Sequence, residues 1–135
     1  MDTLNPQQRS ARMALVRSKD TKPELFVRRL VHGLGYRYRL HRRDLPGTPD
    51  LVFSGRGKVI LVHGCFWHRH KDCALARLPR SRENFWLPKL EGNAARDARN
   101  LGALRRLGWG VMTIWECQLR DVPRLVNRIG RFLDA

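Results

Sequence analysis

The chain has 135 residues, which is enough for one compact domain and too few for two of ordinary size. Hydrophobic residues make up 42% and charged residues 29%, proportions that exclude a disordered tail. Lysine and arginine number 27 against 12 acidic residues, so the formal net charge is +15. This excess favours a polyanionic partner. Nucleic acid fits better than a membrane because the arginines are dispersed along the chain.

The sequence shows no run of 18 apolar residues, and residues 1–6 lack the apolar core of a signal peptide. We therefore expect a cytoplasmic protein with no membrane association. Three cysteines are an odd number in a reducing compartment, which argues against a disulfide framework and favours a metal site or free thiols.

Residues 1–20 are polar and basic, and we interpret them as an N-terminal arm or short helix that could clamp DNA, ahead of a single domain over residues 21–135. The segment Thr21-Lys22-Pro23-Glu24 is typical of a helix start, with threonine as the cap and proline in the first turn. An apolar face at helical spacing follows, ended by Gly33 and Gly35. Its members are Leu25, Phe26, Leu30, Val31 and Leu34.

Three short extended segments come next, at residues 36–40, 50–53 and 58–63. Gly55-Arg56-Gly57 separates the last two and predicts a hairpin. A helical stripe from Leu90 to Leu107, a buried-type strand over residues 109–115 and a final helix from Val122 to Leu133 complete the chain. This order predicts an α/β fold with a mixed central sheet flanked by helices.

Asp50 opens the second extended segment, directly after Pro49. In many nucleases an acidic residue at such a position holds a divalent cation against the scissile phosphate. Proline followed by aspartate is also among the commonest turn dipeptides, so this signal alone is weak.

Residues 63–73 contain three of the five histidines and two of the three cysteines. Cys65, His70 and Cys73 have workable spacing for three zinc ligands, and Cys117 at the end of a predicted strand supplies the fourth. A site with four protein ligands has no open position, so its zinc would be structural. The alternative is three unrelated buried thiols.

His63 and His68 are not needed as zinc ligands in this assignment. Because an imidazole ordinarily titrates near neutral pH, either residue is suited to proton transfer. Two aromatic pairs, Phe66-Trp67 and Phe85-Trp86, fall in what we predict to be polar loops. Core burial is the simpler interpretation of such residues. Their loop setting favours wedges that enter a base stack.

One motif in this chain is highly specific: His63-Gly64-Cys65-Phe66-Trp67-His68, followed downstream by Trp115-Glu116-Cys117. Further matching segments accompany it, namely residues 46–50, 85–89, Asn93 with Arg96-Asp97, and Gly108-Trp109. Together they resemble the very-short-patch-repair (Vsr) endonucleases, over nearly the whole chain.

The resemblance implies a restriction-endonuclease-like core and a Mg2+-dependent nick in one strand, 5′ to the T of a T·G mismatch left by deamination of 5-methylcytosine. Asp50 would be the Mg2+ ligand, with the backbone carbonyl of Val62 as a second contact. His68 would be the general base and His63 would assist at the phosphate. Glu24 corresponds to an acidic residue near the active site.

The same resemblance assigns zinc to Cys65, His70, Cys73 and Cys117, although the loop register also allows His68 and His70 to exchange roles. Phe66, Trp67 and Trp86 would form the intercalating wedge. We expect a monomer that acts on double-stranded DNA, associates with the nucleoid when bound and has mismatch-repair proteins as candidate partners. Two rivals remain: a zinc-stabilised DNA-binding module without catalysis, and a nuclease of the same fold with another DNA target.

Overall fold

The computed structural model describes residues 21–78 and 83–135, so the predicted arm at residues 1–20 lies outside the described residues. Within these ranges the helices are α1 (Lys22–Gly33), α2 (Glu83–Arg106) and α3 (Val122–Leu133). The strands are β1 (Arg39–Leu40), β2 (Leu51–Phe53), β3 (Lys58–His63) and β4 (Gly110–Trp115). No helix in the described ranges has the length and apolar character needed to cross a bilayer.

The strands form one mixed sheet in the order β1-β2-β3-β4. β1, β2 and β3 pair antiparallel, and the predicted hairpin between β2 and β3 is confirmed. Its connection passes through Gly57, whose φ of 66° lies in the left-handed region that glycine adopts without a Cβ clash. β4 pairs parallel with β3 after a crossover that contains α2. The mixed α/β class predicted from the sequence is confirmed.

Apolar side chains cover both faces of the sheet. On one face, Val27 and Val31 of α1 and Leu125, Ile129 and Leu133 of α3 pack against alternate residues of β2, β3 and β4. On the other face, Leu104 of α2 packs with Leu45, Val52 and Val59. The three residues of β2 and the last five of β3 are therefore buried, as expected for strands covered by helices on both sides.

Helix α1 begins as the sequence predicts, with the Thr21 side chain accepting a hydrogen bond from the Glu24 amide at 3.3 Å. Its predicted apolar face is wrong in part. Phe26 and Leu34 each remain 39% exposed, whereas Val27 is fully buried. The carboxylate of Glu24 has polar partners on the inner side of the helix and is buried there. The buried face of α1 is therefore rotated relative to the face that hydrophobicity predicts.

Helix α2 begins earlier than the apolar stripe indicates, at Glu83. Phe85 and Trp86 therefore lie in its first turn, and the prediction that they sit in a polar loop is wrong. Pro88 lies inside this helix, where proline is usually a breaker, and the apolar stripe seen in the sequence begins only after it, at Leu90.

The parallel pairing of β3 with β4 places the ends of both strands at the same edge of the sheet. His63, the last residue of β3, lies opposite Trp115, the last residue of β4. The two segments that follow, starting at Gly64 and Glu116, therefore leave the sheet side by side. This edge carries most of the polar side chains that the sequence analysis singled out.

Candidate active site and metal centre

A cleft of about 580 Å3 opens beside this edge of the sheet. Its lining is rich in carboxylates and imidazoles that come from both sides of the sheet edge. They lie on α1 and α2, before β2, at the end of β3, and in the segments after β1, β3 and β4. These residues are Glu24, His41, Asp50, His63, His68, Asp97 and Glu116. Arg43 and Arg96 also line the cleft and supply positive charge to it.

Asp50 is fixed to the neighbouring strand by its side chain. The pairing of β2 with β3 ends at Leu51 and Ile60, and the amide of Val62 instead donates a 2.7 Å hydrogen bond to Asp50 Oδ2. Burial raises the pKa of Asp50, while the Val62 amide and the nearby His41 lower it in part. The ionised form of Asp50 is therefore destabilised by burial, and a cation bound to the carboxylate would offset this destabilisation.

His68 is paired with Asp97, which the sequence analysis placed in a matching segment without assigning it a role. Its Nδ1 lies 2.6 Å from Asp97 Oδ2 on α2. A carboxylate accepts hydrogen bonds, so Nδ1 carries the hydrogen. In the neutral ring Nε2 is then the unprotonated nitrogen. One turn earlier on α2, Asn93 donates to the carbonyl of Trp67 at 3.2 Å. The polar pair Asn93 and Asp97 thus holds the loop that carries His68.

His63 lies flat against His68, with ring centroids 3.8 Å apart and planes 5° apart. Burial, together with the neighbouring His68, lowers the pKa of His63 to about 4, although Asp97 opposes the shift. His63 is therefore uncharged at neutral pH. Its Nδ1 is buried and has no hydrogen-bond partner among the described residues.

Glu24 and His41 form the other side of the cleft. The Glu24 side chain is only 3% exposed and is paired with Arg28 one turn along α1. His41 Nε2 lies 3.1 and 3.0 Å from the two carboxylate oxygens of Glu24. Sequence reasoning missed His41, because a single histidine ahead of two arginines in a short connecting segment has no local signature.

The structure brings together the four residues predicted to bind zinc. Ligand atoms of Cys65, His70, Cys73 and Cys117 all lie within 4.8 Å of one another. Tetrahedral zinc with thiolate bonds of about 2.3 Å would place its ligands about 3.8 Å apart, so the donor set and its spacing fit such an ion. This cluster contains His70, whereas His68 lies with Asp97.

Hydrogen bonds within the cluster fix its cysteines. The Cys117 amide lies 3.4 Å from Cys65 Sγ, and Cys117 Sγ lies 3.5 Å from His70 Nδ1. Cys65 is fully buried, and burial raises the pKa of its thiol to about 12. A thiolate at this position therefore requires a cation beside it.

A continuous series of ring contacts connects the cysteine cluster to the cleft. His70 stacks on Trp115 at 4.1 Å, and Trp115 meets His63 edge-on at 5.1 Å. His63 in turn stacks on His68. The position of His68 thus depends on packing that runs back to the cluster through two intervening rings.

The predicted wedge residues form one aromatic cluster. Phe66, Trp67 and Trp86 are in mutual edge-to-face contact, with centroids 5.1 to 5.8 Å apart, and Phe85 packs on Trp86 at 5.0 Å. Trp86 is only 8% exposed, whereas Phe85 is 46% exposed. The buried ring of Trp86 packs against Phe66 and Trp67, which are themselves half-buried.

The domain is basic, and its cleft combines carboxylates with an imidazole that a carboxylate orients. A cysteine cluster suited to a metal ion lies outside the cleft. Such a combination of groups is typical of a metal-using DNA endonuclease. Comparison with known proteins agrees. The family model for DNA mismatch endonuclease Vsr matches residues 1–75, and this chain belongs to that family. It is a DNA endonuclease.

Individual relatives cover the chain almost completely. It is 52% identical over 133 residues to the type II nicking enzyme V.XorIIP of Xanthomonas oryzae pv. oryzae, covering 98% of this chain and 97% of that protein. It is 40% identical over 119 residues to the DNA mismatch endonuclease Vsr of Escherichia coli, covering 88% and 76% respectively. The type II nicking enzyme V.NmeAIP of Neisseria meningitidis is 36% identical over 132 residues, with coverage of 98% and 94%.

Proposed function

We propose that this protein nicks one strand of duplex DNA on the 5′ side of the T in a T·G mismatch, and that the reaction requires Mg2+ and starts very short patch repair. The observation that carries the proposal is the position of Asp50 in the same cleft as the His68–Asp97 pair. An acidic cation ligand and an oriented base are the two protein groups that metal-assisted phosphodiester hydrolysis needs.

Asp50 suits a hard cation such as Mg2+, which prefers oxygen ligands. Its Oδ2 is held by the Val62 amide at 2.7 Å, and this leaves Oδ1 for the ion. We assign the backbone carbonyl of Val62 as the second protein contact. Mg2+ bound there would stabilise the charge that builds on the scissile phosphate and its leaving oxygen.

His68 is assigned as the general base for the attacking water. Asp97 fixes its ring orientation and holds the hydrogen on Nδ1, so Nε2 is the nitrogen that takes the proton. His63 is uncharged beside it, which avoids repulsion when His68 becomes protonated. We assign His63 a supporting role at the phosphate and Glu24 the role of an acidic group near the active site.

Zinc is the ion that we assign to the cysteine cluster, as a structural component with Cys65, His70, Cys73 and Cys117 as its ligands. Its role is to hold the loop over residues 64–73, which carries His68 together with Phe66 and Trp67. Recognition and cutting are thereby supported by the same loop.

For recognition, Phe66 and Trp67 enter the base stack beside the mismatch, with Trp86 as their support. A T·G wobble pair stacks poorly, so opening it costs less than opening a matched step. The arginines neutralise phosphates, and residues 1–20 are proposed to clamp the DNA. We further propose that the protein acts as a monomer, is found on the nucleoid when bound to DNA and hands the nick to repair proteins.

The order of elements supports a restriction-endonuclease-like core: a helix, three antiparallel strands, a crossover helix and a parallel fourth strand. In a DNA-binding module without catalysis, Asp50 and the His68–Asp97 pair would have no chemical role. A nuclease of the same fold with another target shares the whole cleft, so only the substrate distinguishes it.

The proposal is tested by single-turnover nicking of duplexes that differ in one base pair. A T·G duplex should be nicked at least about 30-fold faster than its matched counterpart, because a difference of a few kcal/mol in unstacking favours the mismatch. Equal rates on T·G, A·C and matched duplexes would contradict the assigned specificity. Absence of nicking with every divalent cation would contradict catalysis as a whole.

A further inference from the structure

His41 follows β1 and has an unusual backbone conformation. Its φ is 49°, in the left-handed region that is unfavourable for a residue with a side chain. The backbone there is fixed to the strand that carries the cleft aspartate, because the His41 amide donates to the carbonyl of Asp50 at 3.3 Å. A backbone held in such a conformation beside a cleft indicates that the side chain position matters.

The imidazole of His41 lies between the two acidic residues of the cleft. Nε2 is 3.0 Å from Glu24 Oε2 and 4.0 Å from Asp50 Oδ1. Both ionised carboxylates are acceptors, so Nε2 carries a hydrogen and donates it to Glu24. The neighbouring Arg28 guanidinium is bonded to Glu24 as well. His41 thus connects this buried group to Asp50.

The contact of Arg28 with Glu24 also makes it unfavourable for Glu24 and His41 to bind a metal ion jointly. A guanidinium already occupies one Glu24 oxygen, and Nε2 of His41 uses its hydrogen toward the same carboxylate. The side chain of Glu24 is therefore an anchor for His41. What His41 adds to the cleft is a ring edge that Glu24 holds in place 4.0 Å from Oδ1 of Asp50.

We propose that His41 is a positioning residue that holds the carboxylates of Asp50 and Glu24 in the orientation in which Asp50 binds its divalent cation. This inference rests on the proposed function, in which Asp50 is the cation ligand. Without the imidazole, Asp50 Oδ1 loses its fixed neighbour and Glu24 turns toward Arg28. The cation then binds less tightly, while the chemistry once it is bound is unchanged.

Two substitutions separate the side chain from the backbone. His41→Asn keeps a residue that adopts a left-handed φ readily but is too short to reach Glu24. His41→Gln restores an amide donor with a reach close to that of Nε2. Asp44→Asn is the control, because Asp44 lies in the same segment, is exposed and pairs with Arg42 outside the cleft.

The measurements are the affinity of the DNA-free protein for Mn2+, followed by electron paramagnetic resonance, and the Mg2+ concentration that gives half the maximal single-turnover rate. For His41→Asn both constants should weaken by about 10-fold or more, as loss of an outer-sphere partner typically does. The maximal rate should stay within about 3-fold of the original, because the reacting groups are intact. His41→Gln should recover most of the affinity, and Asp44→Asn should match the original protein.

Unchanged Mn2+ affinity in a folded His41→Asn variant would overturn the inference, and so would a lower maximal rate with unchanged metal dependence. Asp50→Asn, measured in parallel, tests the proposed function separately. If that variant keeps metal-dependent nicking, the assignment of Asp50 fails. If it is inactive while His41→Asn behaves like the original protein, only the role of His41 fails.

Discussion

Replacement of Asp50 by asparagine is expected to lower the single-turnover nicking rate at a T·G mismatch by about 10³-fold or more, because several kcal/mol of transition-state stabilisation depend on the cation that this carboxylate holds. Asparagine has nearly the same shape, and its carbonyl oxygen can still accept the hydrogen bond that the Val62 amide donates to Asp50 Oδ2. The loss should therefore concern chemistry and not folding.

The thermal melting temperature of Asp50→Asn should equal or exceed that of the original protein. Burial raises the pKa of Asp50, which means that its ionised form weakens the fold at neutral pH, and a neutral amide removes that penalty. Asp44→Asn, which removes an exposed carboxylate, should leave the nicking rate unchanged. A fully active Asp50→Asn variant would show that another residue binds the cation.

Replacement of Cys117 by serine is expected to remove the structural zinc and to destabilise the domain. All three cysteines of the chain meet in one cluster with His70, so losing one thiolate opens the tetrahedral site. Structural zinc contributes to the folding free energy directly, and we expect a loss of at least about 3 kcal/mol in unfolding free energy. Metal analysis after dialysis and denaturant unfolding measure the two effects.

Activity should fall with zinc content, because His70 supports His68 through Trp115 and His63. The matched control is Ala74→Ser, which adds a hydroxyl at an exposed position next to Cys73 and should retain one zinc ion per chain. A Cys117→Ser protein that retains stoichiometric zinc with unchanged affinity would remove Cys117 from the ligand set.

Much of the cysteine cluster could be predicted from the sequence, because its information is local. The spacing of Cys65, His70 and Cys73 lies within one short loop, and only Cys117 required long-range reasoning. That step succeeded because β3 and β4 are parallel, and the ends of adjacent parallel strands share an edge. Asp50 was located for a similar reason, since the hairpin after it was recognisable.

The contacts that the sequence did not reveal are tertiary. Asp97 is one polar residue on a long helix, and its role is defined only by its distance to His68. His41 depends on a left-handed backbone conformation that no neighbouring glycine or asparagine signals. Glu24 occupies a buried position that periodicity assigns to an apolar residue, since its partners Arg28 and His41 come into contact only in the folded chain. Functional sites are where local rules are most often broken.

We propose that this endonuclease cuts one strand, next to the T of a T·G pair, with Mg2+. The most direct measurement is a duplex with a single T·G pair, labelled at the 5′ end of each strand in turn and incubated with the protein and Mg2+ or with EDTA. We expect one labelled product, from the T-containing strand, ending immediately 5′ to the T, and none with EDTA. Cleavage of both strands, a cut elsewhere in the T-containing strand, or equal cleavage in EDTA would contradict it.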